Sequence, residues 1–238
     1  MREERVTVDA AYGRERLILR LRLPTSVDPP YQAVVWFGGA DALTLRDTDQ
    51  SPFLDLPDLF VRSGRAVVMP VWAGTYERND GRTLDERSSR GIKWIRDLGR
   101  TLDYLEERED IDAERVAYAG FSLGSSLAPM LLAGETRVRT AVLWAGGFGT
   151  QQPGAAPVTV NWVRRTTIPT LMLNGRHDFV FPLESHQKPM FDLLGAPDEN
   201  KRHVVYDAGH WPLPRNEVIL ESVNWLDRYL GPVQKSEG

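Results

Sequence analysis

The chain has 238 residues, which is enough for one large α/β domain with a sizeable core. Its 29 lysines and arginines nearly balance its 33 aspartates and glutamates, so we expect neither nucleic acid nor an anionic membrane surface as a partner. Because cysteine is absent, disulfides, thiolate metal sites and a cysteine nucleophile are excluded. Any chemistry must therefore use oxygen and nitrogen side chains.

The N-terminal residues 1 to 10 are charged and lack the apolar core of a signal peptide. No run approaches the roughly 20 apolar residues that cross a membrane. We therefore expect a soluble, cytoplasmic protein with no membrane partner, present as a monomer or a homodimer.

The first predicted element is an antiparallel hairpin at one edge of a sheet. Residues 5 to 8 and 16 to 23 alternate apolar with polar or charged positions, as strands with one solvated face do. Short, nearly continuous apolar runs follow, which is typical of strands buried on both faces by helices. These runs are residues 32 to 37, 66 to 71, 116 to 121, 141 to 146, 170 to 175 and 203 to 209.

Helical periodicity lies between and after these runs. One apolar stripe at spacings of three and four consists of Ile92, Ile95, Leu98, Leu102 and Leu105, and a second consists of Ile219, Val223, Leu226 and Leu230. Asn216 is the predicted N-cap of the last helix. Strands that alternate with helices predict a doubly wound α/β fold with a mostly parallel sheet, and we treat residues 1 to 238 as a single domain.

Residues 146 to 169 form a long segment without a regular pattern. Irregular segments of this length in compact domains are usually functional. This one follows a predicted strand, so we expect it to lie over the edge of the sheet where open α/β sheets bind ligands. We interpret it as a short, cap-like loop.

The stretch Gly120-Phe121-Ser122-Leu123-Gly124 lies between an apolar strand and a small-residue helix. A glycine-flanked serine in that context predicts a strained elbow that presents one hydroxyl, with the glycines allowing close approach of the backbone. Ser122 is therefore the predicted nucleophile. A structural serine in a tight turn is the alternative.

A serine hydroxyl needs a base to accept its proton and a third group to orient that base. His210 follows the final predicted strand, at the same edge of the sheet as Ser122, and is the predicted base. Asp178 follows the penultimate strand and is the predicted acid, which gives the chain order Ser, Asp, His expected on such a sheet. Asp207 is the rival acid, and for His186 and His203 we favour surface or supporting roles.

A tetrahedral intermediate needs two hydrogen-bond donors for its oxyanion. The backbone N–H of Leu123, the residue after the nucleophile, is the first predicted donor. The second is predicted at Gly39, with Ala40 close behind, because small residues there let the backbone approach the substrate.

Together these residues resemble the α/β-hydrolase superfamily along essentially the whole chain. The resemblance implies an eight-stranded, mostly parallel sheet with minimal cap, and the roles just given for Ser122, Asp178, His210, Gly39 and Leu123. More narrowly, the chain looks like the dienelactone-hydrolase-like and acyl-esterase branch. Residues 60 to 78 and 169 to 184 resemble hydrolase modules attached to some bacterial serine/threonine kinases. Dienelactone hydrolase itself uses a cysteine nucleophile, which this chain lacks.

We therefore predict a serine esterase that acts on small or short-chain acyl esters through an acyl-enzyme, without a cofactor or a metal ion. Aromatic residues near strand ends are candidates for the wall of the substrate pocket: Phe37, Tyr76, Trp144, Phe179 and Trp211. Glu77 and Arg78 lie in a segment that we interpret as a solvated loop rather than a substrate contact. A serine peptidase or amidase of the same fold, and a non-catalytic regulatory module, are the alternatives.

Overall fold

The computed structural model describes residues 1–81, 87–148 and 161–233, and of residues 87–89 it describes the backbone alone. The strands are β1 (Arg2–Asp9), β2 (Arg16–Leu23), β3 (Tyr31–Phe37), β4 (Ala66–Pro70), β5 (Ile111–Phe121), β6 (Val138–Trp144), β7 (Thr170–Gly175) and β8 (Lys201–Tyr206). The helices include α1 (Asp58–Arg62), α2 (Arg87–Glu106), α3 (Leu123–Leu132), α4 (Lys188–Leu193) and α5 (Arg215–Leu230).

The eight strands form one mixed sheet in the order β1-β2-β4-β3-β5-β6-β7-β8. Strand β2 pairs antiparallel with both β1 and β4. The pairs β3–β4, β6–β7 and β7–β8 are parallel. The predicted mostly parallel sheet with an antiparallel N-terminal edge is therefore confirmed.

Contacts within the chain group the residues into two compact units. The first is Met1–Val116 with Val233–Gly238, and the second is Ala117–Pro232. Strands β1 to β4 with α1 and α2 belong to the first unit, whereas β6 to β8 with α3, α4 and α5 belong to the second. The boundary falls within β5. That the chain is one domain stays a prediction.

In the first unit, α2 buries most of its predicted apolar stripe. Leu98, Leu102 and Leu105 are at most 1% exposed. The expectation for Ile92 is wrong, because its side chain is 57% exposed. Trp94 is buried instead and donates its indole N–H to the carbonyl oxygen of Ala73. Trp94 is therefore the first buried apolar side chain along this helix, after the buried Arg90.

In the second unit, α5 packs through a face that combines apolar and small polar side chains: Val218, Ser222, Trp225, Leu226 and Leu230. The sequence predicts Asn216 as the N-cap of this helix. That prediction is wrong, because the helix begins at Arg215, directly after Pro214. The carbonyl oxygen of Pro214 already accepts the N–H of Val218 at 3.0 Å. Asn216 therefore lies inside the first turn, two residues beyond the N-cap position, which Pro214 occupies.

The predicted cap-like loop is described only at its two ends. Residues 149–160 lie outside the described residues, whereas residues 161–163 are helical. Among the helices that are described, none combines the length and the apolar character needed to cross a membrane.

Candidate active site

Ser122 lies at a strained elbow between β5, which ends at Phe121, and α3, which begins at Leu123. Its backbone has φ 51° and ψ −101°, a conformation that L-residues rarely adopt. The N–H of Ser122 donates to the carbonyl oxygen of Trp144 at 2.9 Å, which ties the elbow to the end of β6. Strain of this kind typically costs about 1–3 kcal/mol and persists where the surroundings enforce it.

The elbow requires glycine at position 120. A Cβ atom there would lie 2.7 Å from the carbonyl carbon of Gly124 and from the nitrogen of Ser125, closer than real Cβ contacts. The buried hydroxyl of Ser125 lies 2.7 Å from the carbonyl oxygen of Gly120 and 2.8 Å from that of Trp144. Ser125 therefore supports the elbow, a role that sequence reasoning missed although the serine lies within the small-residue helix start.

The structure brings the predicted base and acid to Ser122. Nε2 of His210 lies 2.9 Å from Oγ of Ser122, and Nδ1 of His210 lies 2.8 Å from Oδ2 of Asp178. The other carboxylate oxygen, Oδ1, accepts the N–H groups of Val180 at 2.8 Å and Phe181 at 2.9 Å. Asp178 is only 3% exposed. Its two oxygens are thus divided between its own loop and the imidazole.

The three side chains form one continuous hydrogen-bonded chain that can transfer a proton. The carboxylate accepts Nδ1–H of His210, which leaves Nε2 as the acceptor for the hydroxyl proton of Ser122. The rings of Phe121 and Phe181 lie 6.0 Å and 5.8 Å from the imidazole, measured between ring centroids. These apolar neighbours reduce the access of water to the imidazole.

The rival acid does not contact His210. Asp207 accepts a hydrogen bond from Nε2 of His177 at 2.8 Å, and both side chains are largely exposed. His203, for which we expect a surface or supporting role, lies 3.1 Å from Oδ1 of Asn174 through its Nε2. Burial lowers the pKa of His203 to about 4. The neutral imidazole therefore donates Nε2–H to the amide oxygen.

The two predicted oxyanion donors lie in different units. Leu123 is the first residue of α3, where a backbone N–H has no partner within the helix. Gly39 precedes the 3₁₀ turn Ala40–Leu43 and has φ −81° and ψ −175°. Its carbonyl oxygen accepts the N–H of Ala42 at 3.3 Å. The assignment of these residues as donors stays a prediction.

Two of the predicted pocket residues lie in the first unit, where they line one cavity together with Trp72. Phe37 is fully buried and stacks on Trp72 with ring centroids 4.4 Å apart. Tyr76 has φ 40° and donates its hydroxyl to Oδ2 of Asp41 at 3.0 Å. Nε1 of Trp72 is buried without a hydrogen-bond partner among the described residues.

The other three predicted pocket residues lie in the second unit. Trp144 is 1% exposed and donates its indole N–H to Ser222 at 3.1 Å, so it packs in the core. Trp211 makes an edge contact with Phe121, with ring centroids 5.0 Å apart. Phe179, next to Asp178, is 83% exposed. Phe179 and Trp211 are therefore the members of this set that adjoin the Ser122–His210–Asp178 chain.

A second buried polar cluster lies in the first unit around Asp97, which is fully buried. Its Oδ2 accepts the N–H of Ala73 and a guanidinium N–H of Arg78, both at 2.8 Å, and its Oδ1 accepts the hydroxyl of Tyr12 at 2.7 Å. Burial and the neighbouring Asp97 carboxylate raise the pKa of Tyr12. Arg78 is thus held in an ion pair, rather than in a solvated loop.

Metal-ligating side chains do not gather at the Ser122–His210–Asp178 chain or in the described residues around Asp97. Within residues 1–81, 87–148 and 161–233, no three histidines, aspartates or glutamates are arranged to hold a metal ion.

The chain is similar to known ester hydrolases. The family model described as PETase: PET hydrolase-like matches residues 73–235. Cutinase est1 of Thermobifida alba is 28% identical over 158 residues, which are 62% of this chain and 48% of that protein. The bis(hydroxyethyl) terephthalate hydrolase of Streptomyces coelicolor is also 28% identical, over 159 residues that are 62% of this chain and 45% of that protein. The chain spans about half the length of these relatives.

The fold is also that of solved α/β hydrolases. The α/β hydrolase GrgF from Penicillium sp. sh18 is similar with a TM-score of 0.75 and 13% identity, over 97% of this chain and 99% of that one. The predicted α/β-hydrolase fold and superfamily resemblance are therefore confirmed. The two relatives are both named as ester hydrolases, which is the enzyme class predicted from the sequence. Because the family model matches well over half of its residues, the chain belongs to the PET hydrolase-like family.

Proposed function

We propose that the chain is a serine carboxylic ester hydrolase that acts on small or short-chain acyl esters. The observation that carries this proposal is a pair of hydrogen bonds: His210 donates Nδ1–H to Asp178 at 2.8 Å, and its Nε2 accepts the hydroxyl of Ser122 at 2.9 Å. A serine hydroxyl becomes a competent nucleophile when an oriented base accepts its proton. The strained backbone of Ser122 supports the same assignment, because strain of this kind is concentrated at functional sites.

In the first half of the reaction, Oγ of Ser122 attacks the ester carbonyl carbon while Nε2 of His210 accepts the hydroxyl proton. The carbonyl π pair moves onto oxygen and gives a tetrahedral oxyanion. Asp178 keeps accepting Nδ1–H, which holds the tautomer and stabilises the imidazolium. When the oxyanion collapses, the C–O bond to the alcohol breaks, and Nε2 returns the proton to the leaving alkoxide. An acyl-Ser122 ester remains.

In the second half, water attacks the acyl carbon while Nε2 of His210 accepts one of its protons. The second tetrahedral intermediate collapses by breaking the bond to Oγ of Ser122. The proton on Nε2 passes to that oxygen, and the carboxylic acid leaves. The serine hydroxyl and the neutral imidazole are both restored.

The oxyanion needs positive partial charge close to the elbow. The N–H of Leu123 fits this role because it opens α3, where the helix dipole adds to the field of the amide. Removing one such donor in comparable enzymes costs ~10²- to 10³-fold in kcat. The assignment of the second donor to Gly39 rests on the sequence.

The relatives suggest that the acyl group can be aromatic. They are named as a cutinase and as a hydrolase of bis(hydroxyethyl) terephthalate, which is a small ester of an aromatic acid. Phe179 is 83% exposed beside Asp178, and Trp211 follows His210 directly. Exposed aromatic surface beside a reactive group favours contact with an apolar or aryl substrate. We therefore include aryl esters in the proposed substrate class.

The decisive experiment compares the wild type with Ser122→Ala on p-nitrophenyl esters from acetate upward and on bis(hydroxyethyl) terephthalate. We expect turnover that declines with acyl chain length and falls by about 10⁴-fold or more in the variant. Ser126→Ala is the matched control, because Ser126 lies in the next turn and its hydroxyl donates to the carbonyl oxygen of Leu123. Circular dichroism verifies that all three proteins are folded.

The outcomes separate the competing functions. Wild-type turnover in Ser122→Ala would overturn the proposal outright. Cleavage of amide substrates without cleavage of any ester would indicate the peptidase or amidase alternative. Ester binding without turnover in the folded wild type would indicate a non-catalytic module.

A further inference from the structure

Gln187 is a fully buried polar residue beneath the segment that carries Asp178. It is the last residue of the π-helical segment Leu183–Gln187, and residues 176–181, here called the acid loop, connect β7 to the start of this region. The backbone N–H of Gln187 reaches back five residues to the carbonyl oxygen of Pro182 at 3.4 Å. Such wide turns are rare and frequently occur at functional sites.

The side-chain amide of Gln187 binds both ends of the acid loop. Nε2 donates to the carbonyl oxygen of Gly175 at 2.9 Å and to that of Phe181 at 2.7 Å. Gly175 is the last residue of β7, and Phe181 lies three residues beyond Asp178. One amide nitrogen therefore fixes the distance between the beginning and the end of the loop.

The same two residues also hold Asp178 itself. The N–H of Phe181 donates to Oδ1 of Asp178 at 2.9 Å, and the N–H of Asp178 points to the carbonyl oxygen of Gly175 at 3.4 Å. A shift of either residue would therefore move the carboxylate. Its Oδ2 atom lies 2.8 Å from Nδ1 of His210, a distance that tolerates little displacement.

Only one orientation of the Gln187 amide is compatible with these neighbours. If the amide were reversed, Oε1 would face two carbonyl oxygens, and three acceptors would meet without a proton between them. In the orientation present, Oε1 is buried and has no hydrogen-bond partner among the described residues. An unpaired buried acceptor destabilises the folded state, and a methionine of similar length would avoid that cost. Both hydrogen bonds of the Gln187 side chain thus go to backbone carbonyl oxygens, those of Gly175 and Phe181.

We infer that Gln187 is a positioning residue that holds the acid loop so that Asp178 orients His210. This inference rests on the proposed function, because it assigns Gln187 to the same Ser122–His210–Asp178 chain. Gln187 acts through the loop and touches none of the reacting atoms.

The first test is Gln187→Met, which keeps the length of the side chain and removes both hydrogen bonds. We expect kcat for p-nitrophenyl acetate to fall about 10- to 100-fold with little change in KM, because a small displacement of an orienting group lowers the rate of the chemical step. Gln32→Met is the matched control. Gln32 is also buried, and its Oε1 accepts a hydrogen bond from Arg65 at 2.9 Å in the first unit. The Gln32→Met variant should be less stable than the wild type but should keep the wild-type kcat.

The second test asks whether Gln187 acts through Asp178. In the Asp178→Asn background, the orienting carboxylate is already absent, so Gln187→Met should change kcat by less than about twofold. A residue that merely stabilised the fold would lower activity by the same factor in both backgrounds. Equal factors in the two backgrounds would therefore overturn the inference.

The third test covers the case in which Gln187→Met does not fold. In Gln187→Glu, a protonated carboxyl can still donate one hydrogen bond, whereas a carboxylate would repel both loop carbonyls. Because burial favours the protonated form, we expect the ratio of variant to wild-type kcat to fall as pH rises through this new ionisation. A folded variant with a constant ratio near one would contradict the inference.

The Ser122→Ala enzyme separates the two levels of failure. If that variant keeps wild-type turnover, the proposed function fails. If it is inactive while Gln187→Met and Gln187→Glu keep the wild-type kcat, only the role of Gln187 fails.

Discussion

Two buried aspartates, one in each unit, show how similar surroundings can serve different purposes. Asp178 is 3% exposed and Asp97 is 0% exposed, and both accept hydrogen bonds from backbone N–H groups. The remaining partner of Asp178 is the imidazole of His210 at 2.8 Å. The remaining partners of Asp97 are the guanidinium of Arg78 and the hydroxyl of Tyr12.

The chemical nature of the final partners separates the two networks. Histidine can gain and lose a proton near neutral pH, and the chain through His210 ends on the strained Ser122. Arginine stays charged, so the network of Asp97 closes on a fixed ion pair. Burial by itself would lower the pKa of the Arg78 guanidinium. The interactions with Asp97 and Tyr12 outweigh the effect of burial, so the pKa of Arg78 is raised. A buried carboxylate thus indicates a reactive site only when its partners can exchange protons.

The largest expected effect separates the two aspartates by activity. Asp178→Asn should lower kcat by about 10⁴-fold, equivalent to about 5.5 kcal/mol, because the amide stabilises the wrong tautomer of the imidazole. Kinetics on p-nitrophenyl acetate measure the effect, and thermal unfolding shows whether the fold persists. A folded variant with near-normal kcat would mean that Asp178 does not orient His210.

The next effect separates them by stability. Asp97→Asn removes the buried counter-charge of the Arg78 guanidinium and leaves it only the half-exposed Glu15 carboxylate at 3.3 Å, so the free energy of unfolding should fall by about 3 kcal/mol. Where the variant remains folded, kcat should stay within about threefold of the wild type. Denaturant titration and kinetics at low temperature measure the two quantities. Loss of kcat with unchanged stability would reverse the distinction between the two networks.

A smaller effect tests His203, a half-buried titratable group that belongs to neither network. Burial lowers its pKa from 6.5 to about 4, while Asp192 favours and Lys188 opposes the protonated form. Between these pH values the unfolded chain binds a proton that the folded chain does not, so stability falls as pH falls from 6.5 towards 4. Over this pH range, the free energy of unfolding of His203→Gln should fall by about 2–3 kcal/mol less than that of the wild type.

Denaturant titrations at closely spaced pH values measure this difference. Parallel stability curves for the wild type and His203→Gln would show that His203 is not held neutral.

The smallest expected effect concerns Tyr12, which links the turn between β1 and β2 to Asp97. Tyr12→Phe removes the hydroxyl and should lower the free energy of unfolding by about 1.5 kcal/mol, a typical value for a partly buried hydrogen bond to a charged acceptor. Because Arg78 still pairs with Asp97, the loss should be smaller than in Asp97→Asn. A double-mutant cycle between positions 12 and 97 isolates the pairwise contribution. If the losses in the free energy of unfolding at the two positions are additive, the hydroxyl of Tyr12 does not stabilise the fold through Asp97.

The proximity of Asp178 and His210 could be predicted from the sequence because neighbouring parallel strands end at the same edge of a sheet. Gly175 and Tyr206 are opposite each other in the parallel pair of β7 and β8. The loops after these strands therefore begin side by side, with Asp178 and His210 only a few residues along each loop. Ser122 was accessible for a local reason, since its strained conformation depends on neighbouring glycine and serine residues.

Polar residues that act through distant partners were not accessible in this way. Asp207 is near His210 in sequence but pairs with His177, and Arg78, expected in a solvated loop, is buried against Asp97. Gln187 gives no sequence signal either, because its role depends on two backbone carbonyls that the acid loop brings together. Ile92 fits the apolar stripe of α2 and yet is 57% exposed, since helical periodicity does not reveal where neighbouring elements end.

The sequence by itself therefore determined the kinds of element, the elbow at Ser122 and the residue types available for catalysis, because these depend on local backbone preferences and on apolar periodicity. The tertiary structure alone decided which partner each buried polar group takes. A hydrogen bond forms only over about 3 Å. Partners such as Tyr12 and Asp97, 85 residues apart in the chain, meet at that distance only after the strands and helices have packed.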